Sequence, residues 1–373
     1  MKDMKTLDLS GLPVADNHCH FFHLTPEEIP LARRLSMSLR DMPPDQLENT
    51  LVYRLLLREL RRFLKVDGPA EKVLAARRER LKADYRGYVA DLFAEAGIAC
   101  LILDTGYRPV KVDLAEFEAF VRAEVRYVFR LESVLDDLWE RVRDGALRFE
   151  AAEELFQEAV DRALSAPKTV ALKTIIGYRT GLEILPVPRG ALVQGPPEEK
   201  PFRDYLIREA VVRAADRGVP VQVHAAFGES NIDLRRNNPA LLKTFLDDPE
   251  VGRARLILVH GGYPHCFEAG YLAAVHPNVY VDLSEMIPFA PRAARHGLRQ
   301  IFDLCPFNKI LYGSDGFVIP EIHWLGARTA KDLLAGLLSE YVADGLFTEE
   351  EALETARMIL HDNALALYGL GAS

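Results

Sequence analysis

Leu12-Pro13-Val14-Ala15-Asp16-Asn17-His18-Cys19-His20 is the stretch whose reading decides the fold. A short apolar start runs into two histidines one residue apart. On a β-strand, side chains at i and i+2 share a face, so His18 and His20 become two imidazoles side by side at a strand end. Two such groups are preplaced ligands for a divalent metal. Cys19, between them, is expected to point the other way, into packing. The pair lies near the start of the chain, where a barrel of alternating strands and helices has its first strand. Such barrels keep their chemistry at the strand C-termini. Further ligands should therefore follow at the ends of later strands.

Seven more apolar runs can be read as strands: Ile98–Asp104, Arg126–Glu132, Val170–Ile176, Val219–His224, Leu256–His260, Val279–Leu283 and Ile310–Asp315. With Val14–His20 they make eight. Most are continuous Val/Ile/Leu runs, as in parallel strands buried on both faces. Helical patterning separates them, as in Phe202–Arg217, Pro239–Leu246 and Ala293–Leu304. Strand and helix in alternation predict parallel pairing, and eight units predict a (β/α)8 TIM-type barrel. Two stretches depart from the rhythm. Residues 24–97 form a charged insertion, helical over Leu51–Val66 and Glu71–Tyr88 and broken early by Asp41-Met42-Pro43-Pro44. It is expected as a lid over the active face. Gly177–Lys200, rich in Gly and Pro, is expected as a long loop after the fourth strand. Thr348–Leu370 reads as terminal helices. No repeat or linker divides the chain, so residues 1–373 read as one barrel domain carrying the insertion.

Composition bounds the partners. The 373 residues are 49% hydrophobic and 27% charged, which suits a large soluble core. A net charge of -9 argues against nucleic acid, which favours basic patches, but leaves an anionic small substrate open. Cys19, Cys100, Cys266 and Cys305 show no CxxC spacing and read as free thiols of a reducing compartment. No run of about 18 apolar residues suggests a membrane span. Met1–Thr6 lacks the apolar core of a signal peptide. A cytoplasmic location is expected, with a small-molecule substrate, no membrane or nucleic-acid partner, and homo-oligomerisation open.

Three further strand ends carry the awaited groups: His224, His260 before a glycine pair, and Asp315 before Gly316. Imidazole and carboxylate suit zinc and related divalent metals. A carboxylate beside a metal-activated water can serve as general base. Singly, each has an ordinary explanation: a histidine after a strand is more often a hydrogen-bonded core residue, and His260 or Asp315 could be turn chemistry. Four strand ends in barrel order are what specify a metal site.

In these residues the chain resembles the amidohydrolase superfamily. It is most similar to the amidohydrolase-related group with nodulin-like and FluG-type N-terminal domains. That narrower likeness rests on Lys173-Thr174-Ile175-Ile176-Gly177-Tyr178-Arg179-Thr180-Gly181-Leu182 and on Gly313-Ser314-Asp315-Gly316 followed by Pro320-Glu321. The resemblance implies a single-metal site of His18, His20, His224 and Asp315, with zinc as the expected ion. It implies His260 beside the metal, polarising a substrate carbonyl or binding a second metal. It implies Asp315 as the group that takes a proton from water and passes it to the leaving group. Lys173 keeps three readings: carboxylated and bridging two metals together with His260, a bare ammonium for a substrate carboxylate, or a buried salt bridge with Glu132 or Asp104.

Lys173, Tyr178, Arg179, Arg130, Glu321 and His323 are the expected substrate-binding residues. Arginine pairs with carboxylates bidentately, although either arginine could equally sit in a structural ion pair. Glu321, His323 and Trp324 are placed on a loop facing the metal. An Arg and a Glu there would match an amino-acid-like group, such as the glutamyl part of a γ-glutamyl amide. The leading reading is a metal-dependent hydrolase of an amide or other C–N bond. The alternative is a metal-dependent non-oxidative decarboxylase of an aromatic or unsaturated acid, followed by a sugar-acid isomerase. An inactive metal-binding domain is the reading from another class, and a retained Asp315 speaks against it.

Overall fold

A computed structural model describes residues 6–27, 29–107, 110–195 and 197–371. The first five residues, on which the reading of the N-terminus rests, lie outside that set. The eight expected strands are all present: β1 Val14–Cys19, β2 Ile98–Asp104, β3 Glu124–Arg130, β4 Thr169–Thr174, β5 Val221–His224, β6 Leu256–Val259, β7 Val279–Asp282 and β8 Ile310–Leu311. They pair in sequence order, each parallel to its neighbour. Backbone bonds between β1 and the segment after β8 all but close the ring. The amide of Asn17 donates to the Tyr312 carbonyl (2.9 Å), that of Asp315 to the His18 carbonyl (2.8 Å) and that of His20 to the Gly316 carbonyl (2.7 Å). The architecture is the (β/α)8 barrel that the eight apolar runs predict.

Most strands end a residue or more before their apolar runs, and for β3 and β8 the reason is tertiary. Glu132 does not end β3. It opens the helix Glu132–Arg143, and its carboxylate accepts from Thr174 Oγ1 (2.6 Å) and the Ile175 amide (2.9 Å). β8 leaves the ladder after Leu311 because the Tyr312 amide bonds the Ile359 carbonyl and the Ser314 amide bonds the Asp16 carboxylate.

The barrel interior is apolar over Ala15, Ile102, Val128, Ala171, Ile257, Val259 and Leu311. Its far end is stoppered by the helix Asn363–Tyr368. The Tyr368 hydroxyl donates to Asn17 Oδ1 (2.6 Å) and accepts from Gln222 Nε2 (3.0 Å). This helix follows Glu349–Arg357, whose Thr348 and Glu351 form a reciprocal N-terminal cap. With the interior packed and one end plugged, the open end belongs to the strand C-termini.

The insertion after β1 is helical, with long helices Leu51–Leu64, Ala70–Ala83 and Tyr85–Ala96. It differs from the expected lid, because among the described residues of 24–97 none lines the central cavity. The long helices pack against Pro320–Ala343, the helix after β8. Arg77 Nε lies 2.5 Å from Glu321 Oε1, the Tyr88 hydroxyl donates to the same oxygen (2.9 Å), and Trp324 Nε1 donates to Glu95 (2.7 Å). Only the segment before them reaches the rim, where the Ser230 amide donates to the Met37 carbonyl (3.2 Å). Gly177–Lys200 is not all loop: it contains the short helix Arg189–Val193, and the next helix begins at Glu199. All four cysteines are buried free thiols. Among the described residues, no helix is long and apolar enough to cross a membrane.

The Arg77–Glu321 pair is the buried link between insertion and barrel. Glu321→Ala leaves a buried guanidinium unpaired and is expected to destabilise the fold by about 3–5 kcal/mol. A urea unfolding midpoint unchanged from wild type would contradict that role.

Candidate metal centre

β1 does not alternate cleanly. A register irregularity between Asp16 and Cys19 lets Asn17 and His18 both face inward. Cys19 still points outward, its Sγ directed at the Ile102 carbonyl (3.7 Å). Asp16 also lies outside, accepting from the amide and hydroxyl of Ser314. His18 and His20 then project into the mouth with ring centroids 5.1 Å apart.

The structure brings all five strand-end residues together. Asp315 Oδ1 lies 3.1 Å from His20 Nε2 and 3.3 Å from His18 Nε2. His260 Nε2 lies 3.0 Å from His224 Nδ1. His260 and Asp315 reach these places through left-handed backbone, with φ of 71° and 54°. The left-handed run continues through Gly261 and Gly262, and a Cβ at Gly262 would sit 2.7 Å from that of Ala269. The glycine pair is therefore what lets β6 turn sharply enough to aim His260 inward.

Lys173 is buried with its Nζ 3.2 Å from His18 Nε2, and lies within ion-pair distance of no carboxylate among the described residues. Of the three readings of Lys173, the buried salt bridge with Glu132, Asp104 or a neighbour is not formed among the described residues. Arg130 takes Asp104 instead (Nη2–Oδ2 2.6 Å, Nε–Oδ2 2.9 Å) while still lining the cavity. The Tyr178 hydroxyl donates to Glu229 (2.5 Å), and its ring stacks obliquely on His224 at 4.6 Å. That approach requires Gly228, where a Cβ would fall 1.8 Å from the tyrosine oxygen.

Three expected substrate residues are elsewhere. Glu321 is fully buried on the helix Pro320–Ala343 against Arg77 and Tyr88, because that helix begins one residue before it and turns it outward. His323, two residues on, is enclosed by Phe22 and Phe93 and lies 3.5 Å from Asp16. Arg179 is claimed by Asp136 (2.7 Å), which also holds Arg203, and does not line the cavity. The cavity wall is instead completed by Tyr107, Ile175, Glu229 and Glu285. Asp282 stands behind it. Its Oδ1 accepts from the His260 amide (3.2 Å) and the Ser284 amide (2.9 Å), and its Oδ2 from Asn17 Nδ2 (2.9 Å). Asp16 and Asp282 carry one sequence signal, a carboxylate inside an otherwise apolar run. Glu229 and Glu285 carry none.

Burial sets the protonation states. It pushes His18 down to about 4, helped by the Lys173 charge and opposed by Asp315. It carries His224 and His260 well below the usual imidazole range. Neutral imidazoles keep a lone pair for a metal. Burial opposes ionisation of Asp315, but its hydrogen bonds to His18 and His20 outweigh it and hold the carboxyl well below the usual range. Burial lowers the Lys173 ammonium to about 8.

The donor set fits a divalent metal. His18, His20 and Asp315 offer ligand atoms within 4.8 Å of one another. His18 Nε2 and His20 Nε2 converge on Asp315, and His224 Nε2 is buried without a hydrogen-bond partner, which marks an unsatisfied donor set. The cavity between them is about 50 Å³. Larger clefts of about 310 and 580 Å³ lie on the barrel flank and contain no histidine. His20→Ala is expected to lower metal affinity at least tenfold, and Asp282→Asn, which loosens the turn holding His260, by about 10–100-fold. Competition with a chromophoric chelator measures both, and unchanged affinities would remove the metal from this cluster.

Comparison with known proteins agrees with this geometry. The family model described as Amidohydrolase matches residues 141–370. Protein fluG of Emericella nidulans is 29% identical over 337 residues, which are 80% of this chain but 38% of that protein. The chain thus spans well under half the length of that relative. A crystal structure of a putative metal-dependent hydrolase from Lactobacillus casei superposes with a TM-score of 0.83 at 26% identity, covering 98% of both chains. The uronate isomerase of Thermotoga maritima shares the fold, with a TM-score of 0.69 at 13% identity over 96% of this chain and 95% of its own. Strand order, the convergent histidines and the matched family model lead to one statement: this chain belongs to the amidohydrolase family.

Proposed function

We propose that the chain is a metal-dependent hydrolase of an amide or other C–N bond in a small, carboxylate-bearing molecule. One observation carries the reading. Asp315 holds a single carboxylate oxygen against the Nε2 atoms of His18 and His20, where it can both ligate a metal and face a water beside it. His18, His20 and His224 would complete that ligand set, with zinc the expected ion. When bound, such a metal supplies Lewis acidity and brings a water toward a pKa of about 7.

The chain's own residues then have defined tasks. Asp315, ionised, accepts the proton that water loses, holds it, and returns it to the departing nitrogen. His260, held by Ser284 Oγ at its Nδ1 (2.9 Å) and by His224 Nδ1 at its Nε2 (3.0 Å), is fixed in the cavity wall where it would lie against the substrate carbonyl. Arg130 and Lys173 form a basic wall suited to a substrate carboxylate. Glu229, held by Tyr178, takes over the ammonium-binding part that Glu321 cannot play. An amino-acid derivative such as a γ-glutamyl amide meets both walls. Four buried free thiols are consistent with a reducing, cytoplasmic setting.

A panel of γ-glutamyl and N-acyl amides, run beside aromatic and unsaturated acids, tests the reaction class. Release of ammonia or an amine is expected, whereas carbon dioxide from the acids would replace this reading with the decarboxylase. On the best amide, Asp315→Asn should lower kcat/KM by about 10²–10⁴-fold. Arg130→Gln should act mainly through KM. Equal turnover by both variants would remove these residues from the mechanism.

A further inference from the structure

Charged and aromatic side chains stand on different arcs of the barrel mouth. Arg130, Lys173 and Glu229 stand at the ends of β3 and β4 and after β5. Tyr107 follows β2, Phe317 follows β8 and Phe289 follows β7, so the aromatic arc runs from β7 through β8 and β1 to β2. Its rings make a continuous path away from a candidate metal ligand. The Tyr107 ring meets that of His20 edge-on at 5.0 Å, Phe317 lies 6.4 Å from Tyr107, and Phe289 stacks on Phe317 at 6.2 Å with the planes 21° apart. Tyr107 lines the cavity, whereas Phe317 and Phe289 stand beyond it, half-buried, with one side against the core. Strained backbone carries both outer rings. Val318, a β-branched residue, has a φ of 61°, which such residues rarely adopt. The Ile319 amide bonds the Phe317 carbonyl across it (2.6 Å), closing a γ-turn of the rare positive-φ kind. The Val318 amide donates to the Phe21 carbonyl (2.9 Å) and its carbonyl accepts from the His23 amide (3.0 Å), which clamps the turn to the chain after β1. A second such turn, centred on Glu285 at φ 55° and closed by the Met286 amide on the Ser284 carbonyl, opens the segment that carries Phe289. Strain of this type persists only where the surroundings impose it, and it clusters at functional sites.

We propose that Tyr107, Phe317 and Phe289 form the leaving-group subsite, and that the substrate is an amide whose nitrogen carries an aromatic ring. This deepens the hydrolase reading and rests on it. With the substrate's carboxylate and ammonium held on the β3–β5 arc, its carbonyl lies over the histidines and its nitrogen substituent extends toward the opposite arc. In the hydrolysis the water oxygen bonds the carbonyl carbon, the C–N bond breaks, and the amine leaves with the proton that Asp315 returns. A ring on that amine covers the open faces of Phe317 and Phe289, releasing the water they hold, and meets them in the offset or edge-on contacts that aromatic pairs prefer. The subsite stands beyond the cavity, so the group it receives is remote from the reacting carbon. An aromatic acid losing carbon dioxide would need its ring at the reacting centre instead.

The test uses the full chain loaded with Zn²⁺ and two amides of the acyl group that turns over best, γ-glutamyl by expectation. One carries benzylamine and the other ethylamine, so both leaving nitrogens are primary amines on a methylene. Wild type is expected to favour the benzylamide by about tenfold in kcat/KM, mainly through KM. Phe317→Ala should lower that preference by about tenfold, and Phe317→Tyr, which keeps the ring, should retain most of it. Phe289→Ala, which removes only the outer ring, should lower it less. Equal kcat/KM for the two amides in wild type, or a preference unmoved by Phe317→Ala, overturns the subsite and leaves the hydrolase standing. No turnover of any amide overturns both. Should Phe317→Ala fail to fold, the wild-type preference and its change in Phe289→Ala decide the matter.

Discussion

One backbone hydrogen bond, from the Asp315 amide to the His18 carbonyl, is what the rest of the molecule depends on. With the Asn17–Tyr312 and His20–Gly316 backbone bonds on either side, it joins the last strand to the first where the ring would otherwise gape. It also sets the Asp315 carboxylate against His18 and His20, so closing the barrel and assembling the site are one event. Ser314, one residue earlier, turns the other way and bonds the Asp16 carboxylate outside the cavity. The left-handed backbone at Asp315 shows how tightly that aim is set.

Concentrating imidazoles, three carboxylates, a lysine and an arginine around one small cavity is costly, and the strand ends carry brackets that make it tolerable. Asp16 ties Ser314 to β1, and Asp282 ties Ser284, His260 and Asn17 across three strands. Burial pushes Asp282 up to about 6, against the hydrogen bonds it accepts. These acids touch the ligands' backbones and neighbours, not the cavity. Their work is to hold geometry that the ligands' mutual repulsion would otherwise relax. Networks of this sort gain from being fully satisfied and lose heavily when one member is removed.

Much of the fold was legible in the chain because its signals are local. Eight apolar runs of Val, Ile and Leu with helices between them state parallel strands without reference to anything distant. The convergence of His18, His20, His224, His260 and Asp315 followed from the barrel rule that strand C-termini share a face. The insertion was legible as helical but not as a flank, because what it covers depends on Arg77 meeting Glu321, 244 positions away. Glu321 and His323 were misplaced for a related reason. A helix beginning at Pro320 has a phase, and that phase, not proximity to Asp315 in sequence, decides which residues turn outward. Glu285 gave no signal, since a single γ-turn has no periodicity to read.

What the sequence by itself determined is the inventory and the order: strands that must be buried on both faces, and imidazoles or a carboxylate at the ends of four of them. That follows from alternation and hydrophobicity, which are properties of neighbouring residues. Only the tertiary structure decided which polar groups share the mouth. It turned Arg179 to Asp136 and Glu321 to Arg77, left Lys173 beside His18 without a carboxylate, and brought in Glu229 and Glu285. Those choices are made by ion pairs and turns between elements far apart in the chain, where the nearest opposite charge is set by packing rather than by sequence.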